Sequence, residues 1–213
     1  MKPIAPTPDL EKPAPPERRM GRPPLVDDPR AEILREAARL FAQKGYAESS
    51  LNELAAAMKY SKGAIYNYFA SKQEIYDAII IATLKALYDS AASAVNPDDP
   101  APERLRQFMM AHARCLEANY HAFVTMLVGY SGMANAALKD DALKLRDAHE
   151  GLLRQIISEG IADGTFRPVD VAMTGRAVLS LLSWMARWFR PDGPKSGEEI
   201  AADYYDLIVK GLA

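Results

Sequence analysis

The stretch SLNELAAAMKYSKGAIYNYFASK, Ser50 to Lys72, brings together three serines at helix-start positions, three lysines and a Tyr-Asn-Tyr cluster. Serine hydroxyls beside the free N–H groups of a helix start receive phosphate oxygens, aided by the partial positive charge of the terminus. Ser49 or Ser50 offers that chemistry at one start and Ser61 at the next. Lys62 can reach guanine O6 or N7, the Ala64 methyl can touch a thymine methyl, and Gly63 permits close approach to base edges. Tyr66, Asn67 and Tyr68 spread polar tips around the helix at phosphate height, and Lys72 adds a further cation. This is nucleic-acid chemistry.

Positioning these groups requires short helices in a fixed order. Asp28-Pro29 is an N-cap followed by proline at the first helical position. Ile33, Ala37, Leu40 and Phe41 then share one face, and Gly45 is placed as a left-handed stop, which predicts a helix over 29–44. Ser50 with Glu53 forms the S-x-x-E pattern of a capping box, with Ser49 as the alternative cap, and Leu51, Leu54, Ala55 and Met58 give that helix its apolar face. Ser61 opens the next helix, in which Ile65 and Phe69 point inward. Ser71 with Glu74 repeats the box and starts a longer helix reaching about Ala94. Two short helices joined by Met58-Lys59-Tyr60 make a helix-turn-helix, whose second helix can lie in the major groove of DNA.

Asn96 to Glu103, with three prolines and no apolar residue larger than alanine, is a corner. Further helices are predicted at about 102–118, 119–130, 137–163 closed by Gly164, 169–190 and 197–212. No alternating strand pattern appears. The fold expected is all-α, about nine helices: a Pro-rich basic arm at 1–27, a helix-turn-helix domain at 28–75, and an effector-binding and dimerisation domain at 76–213.

The chain of 213 residues, 49% of them hydrophobic, can close a substantial core. Total charge would not have suggested nucleic acid: residues 1–78 carry 12 Lys and Arg against 11 Asp and Glu, and the remainder 14 against 17. The single cysteine, Cys115, forms no intrachain bridge and reads as a buried thiol in a reducing compartment, so the cytoplasm is expected. The first residues contain no continuous apolar segment and are neither a signal peptide nor a membrane anchor. The uncharged run Ala118–Leu138 approaches a membrane span in length, but its polar residues and Gly129–Gly132 mark a buried helix ending near Tyr130.

The run ILREAARLFAQKGYAESSLNELAAAMKYSKGAIYNYFASKQEIYDAI resembles the DNA-binding domain of TetR/AcrR-family transcriptional regulators over about residues 30–80, without a gap. The resemblance implies a homodimeric, mostly repressing regulator whose C-terminal helical domain binds a small effector. Carried over by position, the DNA contacts are Ser49, Ser50, Ser61, Lys62, Gly63, Ala64, Tyr66, Asn67, Tyr68 and Lys72. One departure falls in the turn: Lys59-Tyr60 stands where the family usually has Gly-Val, and a left-handed lysine costs roughly 1 kcal/mol more than glycine. Upstream, ERRMGRPP places Arg18, Arg19 and Arg22 beside Gly21 and two prolines. It is similar to an AT-hook with its first arginine replaced by Met20, suited to an AT-rich minor groove; a solubilising leader is the alternative reading.

Residues 102–213 show no phosphate loop, metal-ligand spacing or catalytic constellation, and His112, His121 and His149 are scattered in sequence. No catalytic residue, metal or cofactor is expected. VAMTGRAVLSLLSWMARWFR is apolar nearly all round from Ala177 to Met185, which requires cover on more than one side. A dimer interface is therefore expected from Val178, Leu182, Met185, Tyr204, Leu207 and Ile208 on the last two helices. EGIADGTFRPVD, LLSWMARWFRPDG and EEIAADYYDLIVKGL resemble a TetR subgroup that includes acyl-CoA-responsive regulators of fatty-acid and steroid degradation. That implies a long apolar effector with an anionic head. Phe108, Met109, Met126, Tyr130, Met133, Met173, Trp184 and Trp188 are candidate cavity residues, with Arg187 and Arg190 for coenzyme A phosphates. Two other readings stand beside this one: a sensor of lipophilic drugs controlling efflux, marked by carboxylates facing the cavity, and a small helical enzyme or interaction module.

Overall fold

The computed structural model describes residues 28–129 and 136–212, and every regular element among them is helical. In chain order these are α1 (Pro29–Lys44), α2 (Leu51–Ala57), α3 (Lys62–Tyr66), α4 (Lys72–Ala94), α5 (Ala101–Ala118), α6 (Tyr120–Gly129), α7 (Ala136–Ala162), α8 (Val171–Trp184) and α9 (Gly197–Leu212). A 3-10 turn, Met185–Arg187, follows α8. Arg18, Arg19 and Arg22 of the arm lie outside the described residues, as do Tyr130 and Met133.

The helix starts follow the side-chain chemistry of their caps. Asp28 Oδ1 accepts from the Ala31 N–H at 2.9 Å, and Ser61 Oγ from the Ala64 N–H at 3.1 Å. Ser50 closes a complete capping box: its Oγ accepts from the Glu53 N–H, and Glu53 Oε2 accepts from the Ser50 N–H at 3.0 Å. At α4 the box is displaced. Ser71 Oγ accepts from the Glu74 N–H, while the Glu74 carboxylate reaches past Ser71 to the Ala70 N–H at 2.7 Å. Gly45 ends α1 at φ 86 but ψ 155, a positive-φ extended conformation rather than a left-handed helical one.

α2 closes in a Schellman motif. The Tyr60 N–H donates to Ala55 O at 2.8 Å and the Lys59 N–H to Ala56 O at 3.1 Å, which places Lys59 in the position usually held by glycine. Its φ is +56, the one positive φ outside glycine among the described residues. Tyr60 anchors the turn through its hydroxyl, which donates to Glu32 of α1 at 3.1 Å. Lys59→Gly is expected to stabilise the protein by about 0.5–1 kcal/mol, a rise in Tm of roughly 1–4 °C, measured by thermal unfolding.

Two apolar clusters share α4. Ile75, Ile79, Ile80 and Leu84 pack with Ile33, Phe41, Leu54, Ile65 and Phe69 beneath the helix-turn-helix. One turn on, Leu87 and Ala91 belong to the second cluster, built around Leu105, Phe108, Met109, Leu116, Ile156, Phe166 and Leu182. Burying each such large side chain contributes about 1.5–3 kcal/mol relative to exposure, so displacement of α4 is felt in both clusters. A second tie runs from α6 to α1, where the Thr125 hydroxyl lies 3.2 Å from Ala38 O.

The helix predicted over 169–190 is shorter than its apolar run. It tightens into the 3-10 turn and ends at Arg187, four residues ahead of Pro191, whose ring lacks an N–H and would clash with the Arg187 carbonyl in a continued helix. Gly160 is required by close approach: a Cβ there would lie 2.4 Å from the Phe166 ring and 2.8 Å from Ala101 Cβ. Among the described residues no helix is long and apolar enough to cross a membrane.

Candidate nucleic-acid interface and effector cavity

The starts of α2, α3 and α4 converge. Ser49, Ser50, Leu51, Asn52, Lys62, Tyr66 and Lys72 line one shallow depression of about 280 Å³. On α3, Ile65 and Phe69 turn inward, which leaves Lys62, Gly63, Tyr66, Asn67 and Tyr68 exposed and Ala64 half-buried. The Lys62 ammonium lies 5.7 Å from the Tyr66 ring centroid, so the ring supports the cation at the mouth of the depression. Asn52 is absent from the contacts expected from sequence. Its signal is its place in the first turn of a capped helix.

Three predicted contacts have other engagements. Ser49 is buried, with its Oγ 2.7 Å from Gly45 O and 3.5 Å from Leu40 O; its hydroxyl closes the α1–α2 connection and is not presented to a phosphate. Ser50 Oγ lies 3.0 Å from Glu53 Oε2, and that carboxylate is also paired with Lys44. The Lys44 contact first, then the Ser50 bonds, hold Glu53 below its usual range, so a negative charge already occupies the start of α2. The third is Lys72. Its ammonium donates to Tyr46 O at 2.7 Å and Ser49 O at 2.8 Å, lies 3.4 Å from Ala47 O, and sits 4.3 Å from the Tyr46 ring centroid.

Lys72 thus fixes the loop that carries Ser49 and Ser50 onto the start of α4. Lys72→Met is expected to cost about 2 kcal/mol in stability through lost charge-assisted bonds, read as a lower urea midpoint. Operator affinity should fall with it even where the variant remains folded.

In the C-terminal half, a cavity of about 480 Å³ opens between α4, α5, α6, α7 and α8. Leu84, Leu87, Met126, Leu127 and Leu179 form its apolar wall, His112 and His149 line it, and Arg146, Glu150, Arg176, Ser180 and Ser183 supply the other polar groups. Of the predicted cavity residues, Met126 is among these. Phe108 and Met109 are fully buried core, with the Phe108 ring stacked on His149 at 4.6 Å. Met173 and Trp184 are exposed, and the Arg187 guanidinium lies 5.4 Å from the Trp184 ring centroid. Trp188 and Arg190 line a separate depression with Phe189, Pro194, Ile200 and Tyr204.

The predicted subunit face is corrected in the same way. Val178, Leu182 and Met185 lie inside the chain's own core and are not available to a partner, whereas Leu207 is exposed and Tyr204 and Ile208 are half-buried. A helix apolar on every side gives no phase, and at about 100° per residue an error of two positions exchanges inside for outside. The exposed stripe of α8 and its extension carries Met173, Trp184 and Trp188 instead.

His112 and His149, 37 residues apart, meet with Nδ1 of the first 3.3 Å from Nε2 of the second. Burial first, then the neighbouring ring, pushes His112 well below the usual imidazole range, and burial lowers His149 to about 4. Cys115 is buried, and burial raises its thiol to about 11, as an inert core residue requires. No group of three or more metal-ligating side chains occurs among the described residues.

Residues 33–79 match the family described as bacterial regulatory proteins, tetR family, and residues 98–212 match the tetracyclin repressor-like C-terminal domain. The chain belongs to the TetR family of transcriptional regulators, and it is not an enzyme. Regulators of this family bind operator DNA and a small-molecule effector and act as dimers. The TetR-family regulator PfmR from Thermus thermophilus is 50% identical, with a TM-score of 0.80 over 85% of this chain and 98% of that one. The transcriptional repressor KstR2 of Mycobacterium tuberculosis is 25% identical over 88% of this chain and 94% of its own. AibR, whose structure holds isovaleryl coenzyme A and operator DNA, is 24% identical with a TM-score of 0.73 over 84% of this chain and 96% of that one, and shares the fold.

Proposed function

We propose that the protein is a cytoplasmic repressor released from a pseudo-palindromic operator when an acyl-CoA thioester enters the cavity beneath α4. The observation that carries this reading is the double use of that helix. Leu84 packs into the cluster under the helix-turn-helix and also lines the cavity, and Leu87 lines it from the next turn. Occupancy therefore acts on the element that positions α2 and α3. Two recognition helices must sit about 34–36 Å apart to meet successive major grooves, and a tilt of α4 in each subunit changes that spacing. A coupling of roughly 1–3 kcal/mol weakens operator binding about 5- to 150-fold.

The lining carries Arg146, which pairs with Asp147, Arg176, and one acidic residue, Glu150, which pairs with Arg154, so these charged groups and their partners sum to one excess positive charge. That balance favours an anionic head group over the cationic drugs that an efflux sensor would take. The complex of AibR with isovaleryl coenzyme A lends the thioester class support. On the DNA side, Ser50, Asn52, Ser61, Lys62, Gly63, Ala64, Tyr66, Asn67 and Tyr68 form the contact surface, and Lys72 positions it.

The test is fluorescence anisotropy with the protein's own upstream DNA at two salt concentrations, with and without acyl-CoA thioesters and the matching free acids. Sequence-selective binding released by a thioester and not by the acid is the expected result. Selective binding indifferent to every thioester would remove the effector assignment and leave the regulator in place.

A further inference from the structure

The His112–His149 pair has a property that follows from proton counting. Two neutral imidazoles joined by one hydrogen bond hold two N–H groups between them, and one of these is spent on the bond. If His112 Nδ1 donates, His149 Nδ1 is left as a donor and His112 Nε2 as an acceptor. In the reverse arrangement His112 Nε2 is the donor and His149 Nδ1 the acceptor. Either way the pair retains one donor and one acceptor, and these two atoms are the ones that lack a protein hydrogen-bond partner. Both residues are more than nine-tenths buried, and both line the cavity beneath α4.

Leaving a buried polar nitrogen without a partner is costly, so the arrangement is stable chiefly when something in the cavity completes it. The surrounding wall of Leu84, Leu87, Met126, Leu127 and Leu179 offers no partner. The charged groups lining the same space are Arg146 and Glu150 from α7 and Arg176 from α8. An anionic head has its counter-charges in those arginines and needs none from the rings, which are held neutral by burial.

We infer that His112 and His149 are the polarity readers of the effector cavity, donating a hydrogen bond to an uncharged carbonyl oxygen carried by an otherwise apolar ligand. The proposal rests on the effector occupying this cavity and adds which part of it is recognised. The relay is adaptable, because a tautomer shift moves the free donor from one ring to the other; both nitrogens are buried behind the cavity wall, so a ligand engages whichever ring turns toward it. A ligand that replaces the carbonyl by a methylene leaves the donor unsatisfied and is rejected, as sites built to hydrogen-bond a ligand group reject analogues lacking it.

The experiment compares matched carbonyl and methylene probes: a medium-chain acyl-CoA thioester against its S-alkyl thioether, and a long-chain ketone against the alkane. Binding is measured by calorimetry, and imidazole nitrogens are followed by NMR on the 15N-histidine-labelled full chain. The expected result is a preference of about 10- to 100-fold for the thioester over the thioether, with a shift of one orphan imidazole nitrogen seen only with the carbonyl probe. The preference should disappear when both rings are replaced, as in His112→Phe with His149→Phe, and be partly kept in His149→Phe or His112→Gln alone, each of which retains a donor. The NMR arm uses the wild-type chain and does not depend on those variants folding. Equal affinity for thioester and thioether would overturn the histidine reading and leave the acyl-CoA assignment standing. Discrimination of ketone from alkane without binding of either coenzyme A compound would support the histidines and remove coenzyme A. No response of the imidazoles to any of the four overturns the histidine reading, and no calorimetric binding of either coenzyme A compound removes the acyl-CoA assignment.

Discussion

Replacing Trp184 and Leu207 together by glutamate converts the protein to a monomer and lowers operator affinity by about 10²- to 10⁴-fold, the factor by which linking two binding modules exceeds one alone. In the single chain Leu207 is 66% exposed, Met173 61%, Trp184 56% and Trp188 46%. Aromatic and aliphatic side chains of this size cost free energy when hydrated, and their concentration on the last two helices points to a surface that is covered in the working molecule. In a two-fold interface each residue occurs twice, so the double variant places four carboxylates in a desolvated seam. Because both side chains point out of the monomer, its own fold should be unchanged by circular dichroism, while sedimentation reports the loss of the dimer. A variant that stays dimeric would place the subunit face elsewhere on the molecule.

That face illustrates which parts of the molecule are legible in the sequence. The helix starts are, because a cap is a local event: Ser50 with Glu53 and Ser61 with Ala64 bond across three residues, and the periodicity of Ile33, Ala37 and Phe41 is equally local. The helices after the proline corner fall within a residue or so of their predicted bounds except at the ends of α8, where the apolar run continues past the winding. Rotational phase is not legible where every side is apolar, which is why Val178, Leu182 and Met185 exchange places with Met173, Trp184 and Trp188. Nor are long-range commitments. Lys72 looks like an open cation until carbonyls 23 and 26 residues upstream are seen to claim its ammonium. His112 carries one weak signal, four residues after Phe108 and four before Leu116 on a buried face, but nothing local connects it to His149.

Between pH 6.5 and 4.5 the folded state is expected to lose stability through that same pair. An unfolded histidine takes up a proton near pH 6.5, whereas burial delays His149 to about 4 and His112 to well below the usual range. In this window the unfolded chain binds more protons than the native one, so the free energy of unfolding rises with pH and falls on acidification. Above pH 7 both states are neutral and the pair imposes no pH dependence. His149 alone accounts for a loss of roughly 3 kcal/mol by the time the pH reaches its folded value. The carboxylates held low by their partners, Glu53, Glu103, Glu159, Asp163 and Glu199, add a separate loss of the same sign, which sets in as the pH falls through the unfolded carboxylate range and below. The two contributions can therefore be separated by pH. Urea midpoints measured at pH 7.5, 6.5, 5.5 and 4.5 should decline through the last three in the wild-type protein and decline less in His149→Phe. An equal decline in both would assign the acid sensitivity to groups outside the cavity. If the decline follows the pair, an effector bound to the neutral rings should protect the fold by a nearly constant amount through this interval and by less once the pH falls below the folded value of His149, where protonation of the native ring opposes binding.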